Sequence, residues 1–209
     1  MYRLRGSDAI EVLVGEGDDS QTWSLPKKLL THVSPFFAAA LDGAFSESNS
    51  HKMLLPEDDP AAFELFVQWL YIGETGKDST DHILTHVRAW TLGDKLGCPV
   101  FQDRAMLKLL QFHSGKRATT IGPQTLQLAY EGSAANSKLR AWALQQFRCE
   151  VQRDNLGQMA EEWASITKTV VDFGSDYVRD SASAVAFEDK WWRPEEDRQQ
   201  FLELLTYEA

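Results

Sequence analysis

The stretch from residue 34 to 73 constrains the fold most, because it predicts two apolar helices joined through a short strand. Ser34 is a favourable helix N-cap, and Pro35 occupies the first turn, where a missing N–H group is tolerated. Gly43 can end this helix. The apolar residues of the helix follow helical spacing: Phe36, Phe37, Ala40 and Leu41.

The second half of this stretch predicts a strand and another helix. A short apolar run at 53–55 is expected to form the strand, which Pro56 ends. Either Asp58 or Asp59 is the expected N-cap of the second helix, with Pro60 in its first turn. The apolar residues of this helix are spaced to line one face: Phe63, Phe66, Val67 and Leu70. So many aromatic side chains need further elements to bury them.

Length and charge limit the classes of protein to consider. With 209 residues, 43% of them hydrophobic, the chain can bury a core and form one or two domains. A formal net charge of -10 argues against nucleic acid as the main partner. The sequence contains no apolar run long enough to cross a bilayer, and Asp8 and Glu11 interrupt the only run that resembles a signal peptide. We expect a soluble intracellular protein that binds neither nucleic acid nor a membrane.

The rest of the N-terminal half predicts a small sheet with helices. Alternating apolar residues predict a strand over 9–14, and a turn over 15–20 joins it in a hairpin to a second strand over 22–25. The strand at 53–55 is expected in the same sheet. The remaining segments read as helices: one beginning at Pro26, one over 78–97 and one over 100–113.

The C-terminal half predicts only helices. The polar segment 114–122 is the best domain boundary. Helical spacing then recurs in six segments: 123–131, 137–151, 155–163, 166–178, 181–187 and 195–207. The predicted fold class is therefore α+β, with a small sheet and helices followed by an all-helical region.

The residue types needed for catalysis or metal binding do not come together in any recognisable motif. His82 and His86 have helical i, i+4 spacing, but no nearby cysteine completes a metal site. The acidic run at 57–59 is explained by a helix start. Cys98 and Cys149 are expected to be core thiols. We therefore expect no catalytic residues, no metal and no cofactor.

Five segments, in this order, resemble a BTB/POZ domain of the fungal type: AIEVLVG, LPKKLLTHVSPFFAAAL, FSES, MLLPEDDPAAFELFVQWLYIGE and WTLGDKLGCPVFQDRAM. The resemblance covers residues 7–113. It implies a small sheet flanked by helical hairpins and a protein-interaction module, cytoplasmic or nuclear, without enzymatic activity. By its position, the region 123–209 resembles the helical extensions that follow BTB domains in ubiquitin-ligase adaptors.

The resemblance also implies a binding element. Many BTB domains that dock on a cullin have, after the Ser-Pro-Phe-Phe helix, a hydrophobic residue followed by any residue and then a glutamate. Phe45 and Glu47 occupy these positions, and an aromatic anchor beside a carboxylate suits an apolar pocket with a basic neighbour. We include Phe37 and Leu41 of the preceding helix among the partner-binding residues. In the alternative interpretation, Phe45 packs under its own loop and Glu47 is solvated.

Two features depart from the family pattern. Pro26 stands where many members have a histidine near the aspartate equivalent to Asp8, which argues against a corepressor groove. The chain before Asp8 is too short for the N-terminal helix and strand that zinc-finger members exchange across a dimer. A homo-oligomer formed through another interface remains open.

Trp191 and Trp192 allow two interpretations. The tail can fold back so that these side chains cover the helical region, or they can form a C-terminal anchor for a partner.

Taken together, these features predict a protein-interaction adaptor, most concretely a substrate adaptor of a cullin-type ubiquitin ligase. The alternative is a BTB scaffold or oligomerisation module, transcriptional or cytoplasmic, without ligase activity. The sequence contains neither kelch repeats nor zinc fingers, which favours that alternative. An enzyme is the third and most distant possibility.

Overall fold

The computed structural model describes residues 9–42, 51–75, 83–113, 121–152, 157 and 160–183. Within these residues the chain forms three strands, one 3₁₀ turn and nine α-helices. The strands are β1 (Ala9–Val14), β2 (Gln21–Pro26) and β3 (Lys52–Leu55). The helices are α1 (Lys27–Val33), α2 (Pro35–Asp42), α3 (Pro60–Ile72), α4 (Ile83–Leu96), α5 (Pro99–His113), α6 (Pro123–Glu131), α7 (Lys138–Gln152), α8 (Ala160–Thr169) and α9 (Val171–Ser183).

The three strands form one sheet in the order β2-β1-β3. β1 pairs antiparallel with β2 and parallel with β3, with Val12 opposite Trp23 on one side and Met53 on the other. A parallel pair needs a crossover connection, and α1 and α2 lie in the chain between β2 and β3. Alternation buries one face of β1 and β3: Ile10, Val12, Val14, Met53 and Leu55.

The chain divides into two compact units, one within Met1–Asp78 and Ala89–Gln102, the other within Ser79–Arg88 and Asp103–Ala209. The first unit holds the sheet and an aromatic core centred on Phe66. The Phe66 ring lies within 6.3 Å, between centroids, of four other rings: Phe37, Phe63, Trp69 and Phe101. These contacts bury part of the faces of α2 and α3 that the sequence spacing predicts. Four residues of those faces are only half-buried: Phe36, Ala40, Val67 and Leu70.

Local signals mark both ends of α3. The Asp59 carboxylate accepts a hydrogen bond from the Ala62 N–H at 2.9 Å, so Asp59 rather than Asp58 caps α3. Gly73 ends α3 in the left-handed conformation, with φ of 74°.

The described part of the second unit is helical and has its own aromatic core, made by Tyr130, Trp142, Phe147, Trp163 and Phe173. Arg140 of α7 donates hydrogen bonds to two backbone carbonyls at the C-terminal end of α6 and just beyond it. Its Nη2 donates to the Tyr130 carbonyl at 2.7 Å and its Nε donates to the Ser133 carbonyl at 3.1 Å. Arg140 also pairs with Asp172 of α9 at 3.1 Å, so one guanidinium joins three helices.

The mixed α+β composition with a small sheet is confirmed, and β1 and α6 have the predicted bounds. The predicted helices 155–163 and 166–178 are wrong in their division, because α8 continues to Thr169 and the break falls at Val170. Residues 114–120 of the predicted boundary, Gly43 and the helix 195–207 lie outside the described residues. Within the described ranges, no helix is both long and apolar enough to cross a membrane.

Candidate functional site

Phe37 and Leu41 lie on the buried face of α2. Their side chains are 0% and 1% exposed, respectively, and the Phe37 ring stacks against Phe66 at 6.3 Å between centroids. A partner cannot reach either side chain in this conformation. Their place in the core therefore corrects the sequence-based interpretation of them as partner contacts: they hold α2 against the rest of the first unit.

Both ends of α2 are fixed by hydrogen bonds. At its start, the Ser34 hydroxyl accepts from the Phe37 N–H at 3.2 Å and donates to the Leu96 carbonyl of α4 at 2.6 Å. At its end, Lys27 Nζ donates to the Leu41 carbonyl at 2.7 Å. These bonds satisfy backbone groups that a short helix leaves without partners inside the helix.

The start of β3 is held to β1 by a backbone hydrogen bond and an ion pair. The Glu11 N–H donates to the His51 carbonyl at 2.9 Å, and the Glu11 carboxylate pairs with Lys52 Nζ at 3.0 Å. His51 has a φ of 52°, the left-handed region that histidine adopts more readily than most side chains. The segment 43–50 therefore joins two anchored elements.

Phe45 and Glu47, the two residues of the implied cullin-docking element, belong to this segment. Both lie outside the described residues, as do Trp191 and Trp192 of the predicted C-terminal anchor. The sequence-based roles of these four residues stay predictions.

The exposed apolar residues of the first unit were not foreseen. Leu54 is 65% exposed on β3, and Tyr71 and Ile72 are 58% and 70% exposed at the end of α3. The signal for Leu54 was present in the run Met53-Leu54-Leu55. If the two outer residues of a strand face the core, the middle one must face the other side of the sheet.

An open groove of about 410 Å³ lies beside Leu54. Its lining comes from β1, from the turn that follows β1, and from β3 with the residue after it: Leu13, Gly15, Glu16, Gly17, Ser20, Leu54 and Pro56. The apolar side chains among these are Leu13, Leu54 and Pro56. Gly15 and Gly17 have positive φ angles of 82° and 62°, which glycine adopts without strain. The groove can accept an apolar side chain from outside the protein.

Structural contacts engage three side chains that could in principle serve catalysis or metal binding: Asp58, Asp59 and Cys98. Among the described residues, no three histidine, cysteine or acidic side chains come together as a metal site, and His82 lies outside them. Burial raises the pKa of the Cys98 thiol from 9.0 to about 11, so this cysteine stays protonated and unreactive at neutral pH. In the acidic run, Asp59 caps α3 and Asp58 pairs with Lys95 at 2.6 Å.

The described residues thus show hydrogen bonds at the end of α2 and at the start of β3, and an open groove with apolar side chains beside Leu54. Comparison of the chain with models of known protein families and with characterised proteins finds no match.

Proposed function

We propose that this chain is a protein-interaction module of the BTB/POZ class that acts as a substrate adaptor of a cullin-type ubiquitin ligase. The observation that carries the proposal is the position of Phe45 and Glu47 in the chain, between the fixed end of α2 and the fixed start of β3. The order of the five sequence motifs supports the same class.

Anchoring matters because binding costs the entropy of ordering the groups that make contact. α2 ends at the hydrogen bond from Lys27 to Leu41, and β3 begins beside the bond from Glu11 to His51. A segment of eight residues held at both ends loses less conformational freedom on binding than a free tail would. Phe45 then supplies the apolar anchor, and Glu47 the charge that meets a basic residue of the cullin.

Calorimetric titration of the full chain with the N-terminal domain of the BTB-binding cullin tests this proposal. We expect tight binding that Phe45→Ala and Glu47→Lys each weaken by more than about 1.4 kcal/mol, a tenfold change in affinity. The matched controls are Val171→Ala and Glu161→Lys, which make comparable changes at exposed positions of α9 and α8.

Absence of heat and of co-elution would contradict the ligase role. It would leave the alternative, a BTB scaffold or oligomerisation module whose partner is another protein. Equal loss of affinity in the control variants would show that Phe45 and Glu47 are not the docking residues, even if the cullin bound.

A further inference from the structure

The face of the sheet that points away from the core carries two apolar side chains next to each other. Leu13 of β1 and Leu54 of β3 are opposite each other in the register, and Leu54 is 65% exposed. Pro56 extends this surface beyond the end of β3 along the groove. Exposed single leucines are ordinary, but here a leucine lines a groove of about 410 Å³ with two other apolar side chains.

Among the described residues, β3 is an edge strand of the sheet. Its bonds to β1 pass through the carbonyls of His51 and Leu55, which accept from Glu11 and Gly15 at 2.9 and 3.0 Å. Because backbone groups alternate in direction along a strand, the N–H and C=O groups of Leu54 point away from β1. No described strand pairs with β3 on that side. Leu54 therefore offers a donor and an acceptor to an added strand.

The rim of the groove is acidic. Four exposed carboxylates lie on the groove lining or next to it in the chain: Glu16, Asp18, Asp19 and Glu57. None of the ion pairs between described residues includes any of the four. The neighbouring cations are already engaged, since Lys52 pairs with Glu11 and Lys95 pairs with Asp58.

We propose that this groove binds an extended, basic segment of a partner protein, in which apolar residues alternate with lysine or arginine. The segment adds to the edge of β3, an apolar side chain covers Leu13 and Leu54, and the cationic side chains approach the acidic rim. A second copy of this chain is a poor occupant, because a symmetric contact would bring the same carboxylates together.

Fluorescence anisotropy with labelled seven-residue peptides tests the proposal on the full chain. The probe is Lys-Leu-Lys-Leu-Lys-Leu-Lys, and two controls replace either its lysines by glutamate or its leucines by serine. We expect the probe to bind at least about tenfold more tightly than either control, and to weaken as salt rises from about 20 to about 300 mM.

Two pairs of protein variants locate the site. Leu54→Thr keeps strand propensity but removes the apolar anchor, and we expect about tenfold weaker binding, while the matched change Ile72→Thr leaves affinity unchanged. Glu16→Gln combined with Glu57→Gln removes two rim charges. We expect about fivefold weaker binding at low salt, whereas Glu161→Gln combined with Glu162→Gln leaves it unchanged.

Methylation of alternate peptide nitrogens tests strand addition separately. One of the two alternate sets removes the donors that face β3 and is expected to abolish binding, while the other set is tolerated. The proposal is overturned by absence of binding at about 1 mM probe. It is equally overturned if the Glu161/Glu162 pair costs as much as the rim pair, or if both methylated sets bind alike.

Discussion

At the scale of single residues, Ser34 and Cys98 tie the start of α2 to the end of α4. The Ser34 hydroxyl links the Phe37 N–H to the Leu96 carbonyl, a buried bridge between residues 62 positions apart. The Cys98 thiol donates to the Val33 carbonyl at 3.2 Å. Both side chains therefore satisfy buried backbone groups at one junction, a role that favours small polar residues.

Cys98 makes the free energy of unfolding decrease as the pH rises through the alkaline range. Burial raises its pKa from 9.0 to about 11, while a hydrogen bond with Ser34 lowers it by less. Because the unfolded chain loses this proton more easily than the folded one, the contribution of Cys98 is complete below pH 9.0 and is lost as pH rises towards about 11. We expect the difference in unfolding free energy between wild type and Cys98→Ala to fall over that range, measured by urea denaturation.

Cys149→Ala is the control for that measurement, since it removes a thiol and keeps Cys98. If the unfolding free energies of wild type and Cys98→Ala changed in parallel with pH, the raised pKa of Cys98 would be contradicted.

The sequence predicted the local roles of residues better than their distant contacts. Ser34 was correctly expected as a helix N-cap, because capping depends on neighbours within one helical turn. The bridge from Ser34 to Leu96 and the pair between Arg140 and Asp172 were not foreseen. They join residues brought together only by packing, and no local pattern records them.

At the scale of elements, α3 is organised by its aromatic face. Spacing correctly predicted Phe63 and Phe66 as buried, but it did not predict burial of Leu65. Phe66 contacts four aromatic rings, so removing its ring leaves a cavity that its neighbours cannot fill without moving.

We expect Phe66→Ala to lower the free energy of unfolding by about 3–5 kcal/mol, and Phe66→Leu to lower it by about 1.5 kcal/mol, in urea denaturation. Tyr71→Ala, on the same helix but 58% exposed, is the matched control and should change stability by less than about 0.5 kcal/mol. A similar loss for Tyr71→Ala would contradict the placement of the core.

The break between α8 and α9 shows why some boundaries are invisible in the sequence. Trp163, Ile166, Val170 and Phe173 are all buried and nearly helically spaced, so the apolar pattern continues through the break. Neither glycine nor proline marks it. The sequence predicted a division before Ile166 instead, which the structure corrects.

At the scale of the whole molecule, the sequence predicted the α+β composition and the hairpin of β1 and β2, while the parallel pairing of β3 with β1 had to come from the structure. The three predicted strands form one sheet, but nothing in their sequences distinguishes parallel from antiparallel neighbours in so short a β3. The groove beside Leu54 depends on that pairing and was missed for the same reason. The BTB/POZ class and the ligase role remain proposals based on motif order and on the anchoring of segment 43–50.

Hydrogen–deuterium exchange of the full chain, alone and with the cullin N-terminal domain, tests most directly whether this segment receives a partner. We predict slower exchange of the amides in 43–50 and at the adjacent end of α2, with unchanged exchange in α8 and α9. Unchanged exchange in 43–50 at saturating cullin domain, or protection confined to other parts of the chain, would contradict the account.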